Sequence, residues 1–529
     1  MTEQQPPTPE YLDGPAATTR RGPRWALVGG AALAVVATVA VGGWGLAQLM
    51  AADGSPADAV PADALAYVSI DLDPSAGQKF AAIQTLRKFP ALEKELDLDA
   101  RDDVRRWLFE DAFDDGACKG VTYDEDVAPW IGDRFAVAAV PDQGDTVAPL
   151  FVVQVSDQEA AVAGIEALAA CDDETVGVAF AGDYAVLMEE QAAADSYAKA
   201  AEASSLADDA DYLTWTERAG EPGIVNAYVS AEAPARMTDV AADLAGESVP
   251  GESTDSMLGQ DLARLYRDFE GAAGVIRFDE GRVEAEMVTR GMPGGIAPVG
   301  DPGAPSLAEL PATTAAAFTV SFRDGWLDEW VTSLGDLFGG GAAGGGSEDL
   351  WKDLEAGTGL KLPEDLETLL GDGLRVSVDG TVDVGALSSA DVPQAPVGVR
   401  IHGDDAEITR VVDTLMAQVP PGEADALVRS RGDGYVVLGL DQAYVDQLAG
   451  SGGLGDVPAF RAVVPEPDRV SGGVFVNFDA EDWATRVARE VVPGEPEIEA
   501  NLAPLDALAL TTWLDDEDVQ HAAFRLSTD

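Results

Sequence analysis

Two carboxylate pairs, Glu125-Asp126 and Glu364-Asp365, are the residues of this chain whose type and setting first suggest chemistry. Adjacent acids can divide acid and base roles when their surroundings push their protonation apart. Trp130-Ile131-Gly132-Asp133 follows the first pair and Leu369-Leu370-Gly371-Asp372 the second. That setting describes a short helix: carboxylates at the end where backbone N–H groups lack partners, and glycine at the closing turn. Capping is therefore the reading for both pairs, and no catalytic residue is assigned.

A stretch peculiar to the first part of the chain, between about Asp97 and Asp126, gathers Asp97, Asp99, Asp102, Asp103, Asp111, Asp114, Asp115 and Asp124. An EF-hand needs glycine at its sixth position, but counting from Asp97 the sixth is Asp102. The expectation is a solvated acidic loop, with a loosely held cation as the functional alternative. The chain has two histidines, His402 and His521, and neither sits in a metal or nucleophile pattern. The run Gly339 to Gly346 contains G-x-G-x-x-G but follows a helical stretch rather than a strand, so it reads as a loop. No metal and no cofactor are expected.

The elements that would position these groups come in two copies. Val60-Pro61-Ala62 ahead of LAYVSIDLD corresponds to Leu310-Pro311-Ala312 ahead of AAAFTVSF. Ala148-Pro149 corresponds to Ala395-Pro396, and Gly182-Asp183-Tyr184 to Asp433-Gly434-Tyr435. Asp208 and Tyr212 match Asp456 and Phe460, and GIVNAYVSAEA matches GGVFVNFDAED. The pairs keep their order, which is the signature of an internal duplication.

Within a copy, short β-rich runs alternate with helical ones. In the first copy the strands are LAYVSID, FAVAAV, LFVVQVS, VGVAF, YAVLME, GIVNAYVS, GAAGVIRF and RVEAEMVT. Helices are predicted around Gln78 to Leu96, Gln158 to Ala170, Gln191 to Glu202 and Leu262 to Phe269. Tight turns at Ala181-Gly182-Asp183, Asp279-Glu280-Gly281 and Asp515-Asp516-Glu517 make successive strands antiparallel. The predicted fold class is α+β: an antiparallel sheet with helices packed on one face, present as two tandem repeats.

Ahead of the repeats stands WALVGGAALAVVATVAVGGWGLAQLM, Trp25 to Met50, without a charge. As a helix it is about 39 Å long, enough for one tilted crossing of a membrane. Arg20, Arg21 and Arg24 precede it and acids follow it, so the N-terminus is expected in the cytoplasm and the rest outside. A cleaved signal is the alternative; both readings export the repeats. The expected organisation is a disordered cytoplasmic tail (1–24), a transmembrane helix (25–50), a linker (51–59), the first repeat (60–292), a Pro/Gly linker (293–309) and the second repeat (310–529). Export puts Cys118 and Cys171 in an oxidising compartment, where a disulfide is the expected pairing.

Lys and Arg number 33 against 95 Asp and Glu, a formal net charge of −62. Such a field repels nucleic acid and anionic membrane surfaces, since phosphate binding needs Lys and Arg. The anchor, the opening VPADALAYVSIDLDPSAGQKF and the DVAPWIGDRFAVAAV block resemble an uncharacterised family of actinobacterial membrane-anchored proteins, domain-of-unknown-function family 3352. The resemblance implies no activity, cofactor or catalytic residue. The expected function is a non-enzymatic binding or scaffolding module of the cell envelope, with a protein, lipid or wall component as partner. A carboxylate-based envelope hydrolase is the alternative.

Overall fold

The computed structural model describes residues 54–72, 76–91, 105–106, 120–142, 146–172, 175–236, 266–279, 281–292, 306–323, 325–327, 355, 358–383, 395–419, 424–492 and 494–529. The stretch read as the membrane anchor, the run Gly339 to Gly346, Cys118 and the acids from Asp97 to Asp115 lie outside these residues. Among the described residues no helix is long and apolar enough to cross a membrane.

Eight strands form from the first part of the chain: β1 (Ala66–Asp71), β2 (Ile131–Pro141), β3 (Val147–Val155), β4 (Gly177–Ala181), β5 (Tyr184–Met188), β6 (Val225–Ser230), β7 (Gly271–Asp279) and β8 (Arg282–Arg290). Eight more follow: β9 (Thr314–Ser321), β10 (Gly373–Asp379), β11 (Val397–His402), β12 (Val428–Gly432), β13 (Tyr435–Gly439), β14 (Gly472–Asn477), β15 (Leu505–Leu514) and β16 (Gln520–Thr528). All eight strands expected in the first copy are present. Gly182 and Gly434, both at positive φ, make the two-residue turns of the β4–β5 and β12–β13 hairpins. Of the expected helices, Gln78 to Leu96 is described as Ala76–Leu86, and the described part of Leu262 to Phe269 is a turn at 266–268.

The strand order is β12-β13-β11-β10-β9-β14-β15-β16-β8-β7-β6-β1-β2-β3-β5-β4. The two halves of this series carry corresponding strands in mirrored sequence, so the duplication is repeated in the topology. The copies do not form separate sheets. They join edge to edge through antiparallel pairing of β8 with β16, Arg282 opposite Ser527 through to Thr289 opposite Gln520. Tyr67 pairs with Tyr228 in the first half and Ala317 with Phe475 in the second. This slides the GIVNAYVS match by two residues, which keeps every side chain on its face.

Helices cover both faces, a correction to the one-face expectation. The reason lies in β5 and β13, which are apolar at consecutive positions and so bury both faces. Helix Gln158–Ala169 sets Ala161 and Ile165 against Ala185 and Leu187, whereas helix Gln191–Ala203 sets Ala194 and Ala198 against Tyr184 and Val186. The second half repeats this. Helix Asp405–Met416 packs Ile408 and Val412 on Ile401 and Val436, and helix Gln442–Leu448 packs Val445 and Leu448 on the Val437 side.

The segment read as a linker also folds. Ser55 caps a 3-10 turn at Pro56–Ala59, and Ala57 and Ala59 are fully buried in the first core. Gly54 carbonyl oxygen accepts hydrogen bonds from Tyr184 (2.8 Å) and Arg134 (2.9 Å). Ser306 caps the matching turn Leu307–Glu309 at the end of the second linker. Short polar-looking runs conceal these turns because proline and serine mark loops and caps alike.

Charge is buried at the junction. Glu286 is fully buried and ion-paired with Arg277, which also bonds Glu284 at 2.7 Å; Arg525 reaches Glu284 from β16 at 3.1 Å. Removing one partner of such a group strands the other charge without water. We predict that Arg277→Ala destabilises the chain by about 3–5 kcal/mol in urea unfolding, while Arg277→Met combined with Glu286→Met loses much less.

Candidate functional site

In each pair the aspartate satisfies a backbone N–H ahead of it, but in the first copy the turn ends at Ala128 and Gly132 lies in β2, a correction to the expected closing glycine. The Asp126 carboxylate accepts the Thr122 N–H at 2.7 Å, and that of Asp365 accepts the Lys361 N–H at 2.7 Å, the same four-residue reach in both copies. Asp365 is buried, and Arg410 donates to it at 2.6 Å, holding its carboxyl below the usual range. Glu364-Asp365 opens helix Glu364–Leu370, which Gly371 ends at φ 62°. Glu125-Asp126 lies inside the turn Tyr123–Val127 rather than at its opening. Asp124 of the acidic insertion is exposed and bonded to Arg106.

His402 ends β11 near Tyr435, and burial, then Arg375 and Arg400, push its pKa down to about 4. His521 stacks on Trp513 with ring centroids 5.0 Å apart and meets Asp515 at 3.3 Å; burial lowers its pKa. Cys171 lies in the turn Ala170–Asp172, its sulfur 3.3 Å from the Ala167 carbonyl oxygen. One acidic cluster was not anticipated from sequence: Asp479, Asp506 and Asp529 bring carboxylate oxygens within 4.8 Å of one another. Burial, then repulsion from Asp529 and Asp506, raises the Asp479 pKa. Asp479 and Asp529 are exposed, and Asp506 accepts the Ser527 hydroxyl at 2.9 Å.

The largest unassigned feature is apolar. Strand pairing aligns Val376, Phe318, Val474, Leu510, Phe524, Ala285, Ile276, Val225, Ile70 and Phe135 into one unbroken row across the middle of the sheet. With strands about 4.8 Å apart the row runs about 43 Å. No member is fully buried; Phe318 is 43% and Ile70 36% exposed. Parallel rows add Ala316, Val476, Leu508, Leu526 and Val283 on one side and Met287 and Ala522 on the other. Helix Ala76–Leu86 crosses this face near β7, and beyond its end Lys88 donates to the Thr528 hydroxyl at 2.8 Å. The row is continuous because β8 pairs with β16: each copy contributes half of it.

The row carries no charged side chain, and helix Ala76–Leu86 covers part of it beside β7 and β8. Residues 27–179 match a family model described as a protein of unknown function, DUF3352. No curated protein and no solved structure matches the chain.

His402 gives a pH test. Its folded pKa lies below the unfolded 6.5, so the unfolded chain takes up a proton first as pH falls. The stability it confers is complete above pH 6.5 and is lost progressively toward pH 4. The first copy has Gln154 opposite Tyr184 where the second has His402 opposite Tyr435. Urea unfolding at pH 7 and pH 4.5 should therefore show a smaller acid loss for His402→Gln than for the unaltered chain.

Proposed function

We propose that this chain is a single-pass, membrane-anchored extracytoplasmic protein whose non-enzymatic role is to bind a lipid acyl chain along its apolar sheet face. The observation that carries the reading is the ten-strand row, about 43 Å of contiguous apolar side chains with none charged. An extended hydrocarbon chain matches the chemistry of the stretch of this row that helix Ala76–Leu86 leaves uncovered, and burial stabilises it by about 0.8 kcal/mol per methylene.

Two sequence features support the location. Trp25 to Met50 is long enough to span a membrane, and Arg20, Arg21 and Arg24 orient it. Only residues 51–53 separate it from Gly54, which Tyr184 and Arg134 hold against the first copy. Three residues reach about 10 Å, so the sheet would stand close to the membrane surface. The net charge of −62 disfavours capture of a lipid by an anionic headgroup and leaves the tail as the recognised part. The competing hydrolase reading needs acids of the Asp97 to Asp126 insertion converging in a cleft, whereas Asp124, a described member, is exposed and bonded to Arg106.

Cys118 and Cys171 are proposed as a disulfide tying the acidic insertion to helix Gln158–Ala169. Tyr123 and Val127, a few residues after Cys118, pack on Ala161 and Ile165 of that helix, which supports the pairing. A non-reducing peptide map should recover the two cysteines linked; alkylation of both in the oxidised chain would contradict this.

The binding reading is tested with the full-length chain in membranes carrying a diazirine-labelled fatty acid. Photolysis should place adducts at Phe524, Phe318 or Ile276, and Phe524→Asp should reduce them about tenfold. Labelling confined to residues 25–50 would contradict it.

A further inference from the structure

On the other face of the sheet the two copies differ around β15 and β16, among other places. Pairing of Tyr228 with Ala273 and of Phe475 with Ala509 makes Val275 the counterpart of Thr511 and Arg277 that of Trp513. The next strands then set Val288 against Arg525 and Glu284 against His521. In the first copy Val275 and Val288 join Trp215 in an apolar cluster, beside the buried ion pair of Glu286 and Arg277. In the second copy the same positions are Thr511 and Arg525, and a cavity of about 20 Å³ stands over them.

The cause of the cavity is local. Helix Ala210–Ala219 covers the first copy, whereas its counterpart stops at Val463, because Pro465 forces Val464 out of helical geometry (φ −129°, ψ 74°). Val464, Pro465, Glu466, Arg469 and Val470 then form a wall instead of a helical roof. Trp513, 5% exposed, lines the cavity, and its indole N–H has no acceptor among the described residues. A buried donor left without an acceptor carries an unrepaid desolvation penalty, which a bound oxygen atom would recover. Arg525, 6% exposed, brings a guanidinium that is bonded to Glu284 through Nε. Arg469 stands at the rim, bonded to Glu466 at 2.7 Å, and both are partly exposed.

We propose that this cavity, particular to the second copy, is a binding site for a small carboxylate. Its two oxygens take the places of the one or two waters that such a volume admits. One accepts the Trp513 indole N–H and the Thr511 hydroxyl proton, and the charge is met by Arg525 from the floor and Arg469 from the rim. Arg469 exchanges Glu466 for the ligand, so entry needs no opening of the core. The site is independent of the apolar face, which lies on the opposite side of β15.

The test uses the full-length chain in nanodiscs, labelled with 5-fluorotryptophan, and follows ¹⁹F resonances during titration at constant ionic strength. Trp513→Phe identifies the Trp513 signal by its loss. Acetate should shift that signal saturably, while acetamide, of the same shape but uncharged, should not. Arg469→Gln, a rim substitution outside the core, should weaken acetate binding about tenfold, the loss expected for one charge-assisted hydrogen bond. No saturable shift with acetate, an equal shift with acetamide, or unaltered affinity in Arg469→Gln would each overturn the assignment.

Discussion

The pairing of β8 with β16 is the constraint on which the rest of the molecule depends. Each copy ends in a strand whose outer edge would otherwise present a row of unpaired N–H and C=O groups, an invitation to aggregation. Joining the two edges removes both liabilities and makes one sheet of the sixteen strands among the described residues. Glu286 and Ala523, counterparts in the duplication, face each other there, so a local two-fold relation passes through that pair. The buried ion pairs of Arg277, Glu284, Glu286 and Arg525 sit on one face of the same join. Groups so placed fix which residues meet, since any slip in register would leave a buried charge alone.

The two faces of the join do different things. One carries the charges and, beside them, the cavity under Trp513. The other continues the apolar row from copy to copy without interruption. Duplication followed by edge pairing thus doubles the length of the apolar row without a new fold, and Thr511, Trp513 and Arg525 set the second copy apart from the first, which has Val275, Arg277 and Val288 there.

Much of this was legible in the sequence. Tight turns and alternating runs gave the strands of the first copy, and matched dipeptides gave the duplication. The spacing of Asp365 to Gly371-Asp372 marked a helix and its end, whereas Gly132-Asp133 in the first copy belongs to β2. The β8–β16 pairing was not legible, because strand partners more than two hundred residues apart leave no local trace. The apolar row left a signal that was read only in part: β15, LDALALTTWL, carries no charge on either face after Asp506. A strand that is uncharged at consecutive positions buries or offers both faces, and the one-face expectation overlooked this. The turn at Ser55 was hidden for another reason, since its capping residues are also those of a linker.

The most direct measurement places the photoreactive residue p-benzoylphenylalanine at position 524 of the full-length chain in its native envelope and identifies what it captures. Phe524 lies in the middle of the row, on the strand that joins the copies. An adduct of lipid mass, competed by added fatty acid, is the result that a membrane-tethered acyl-chain binder gives. Capture of the chain's own peptides alone would show that the face is covered from within and would contradict the account.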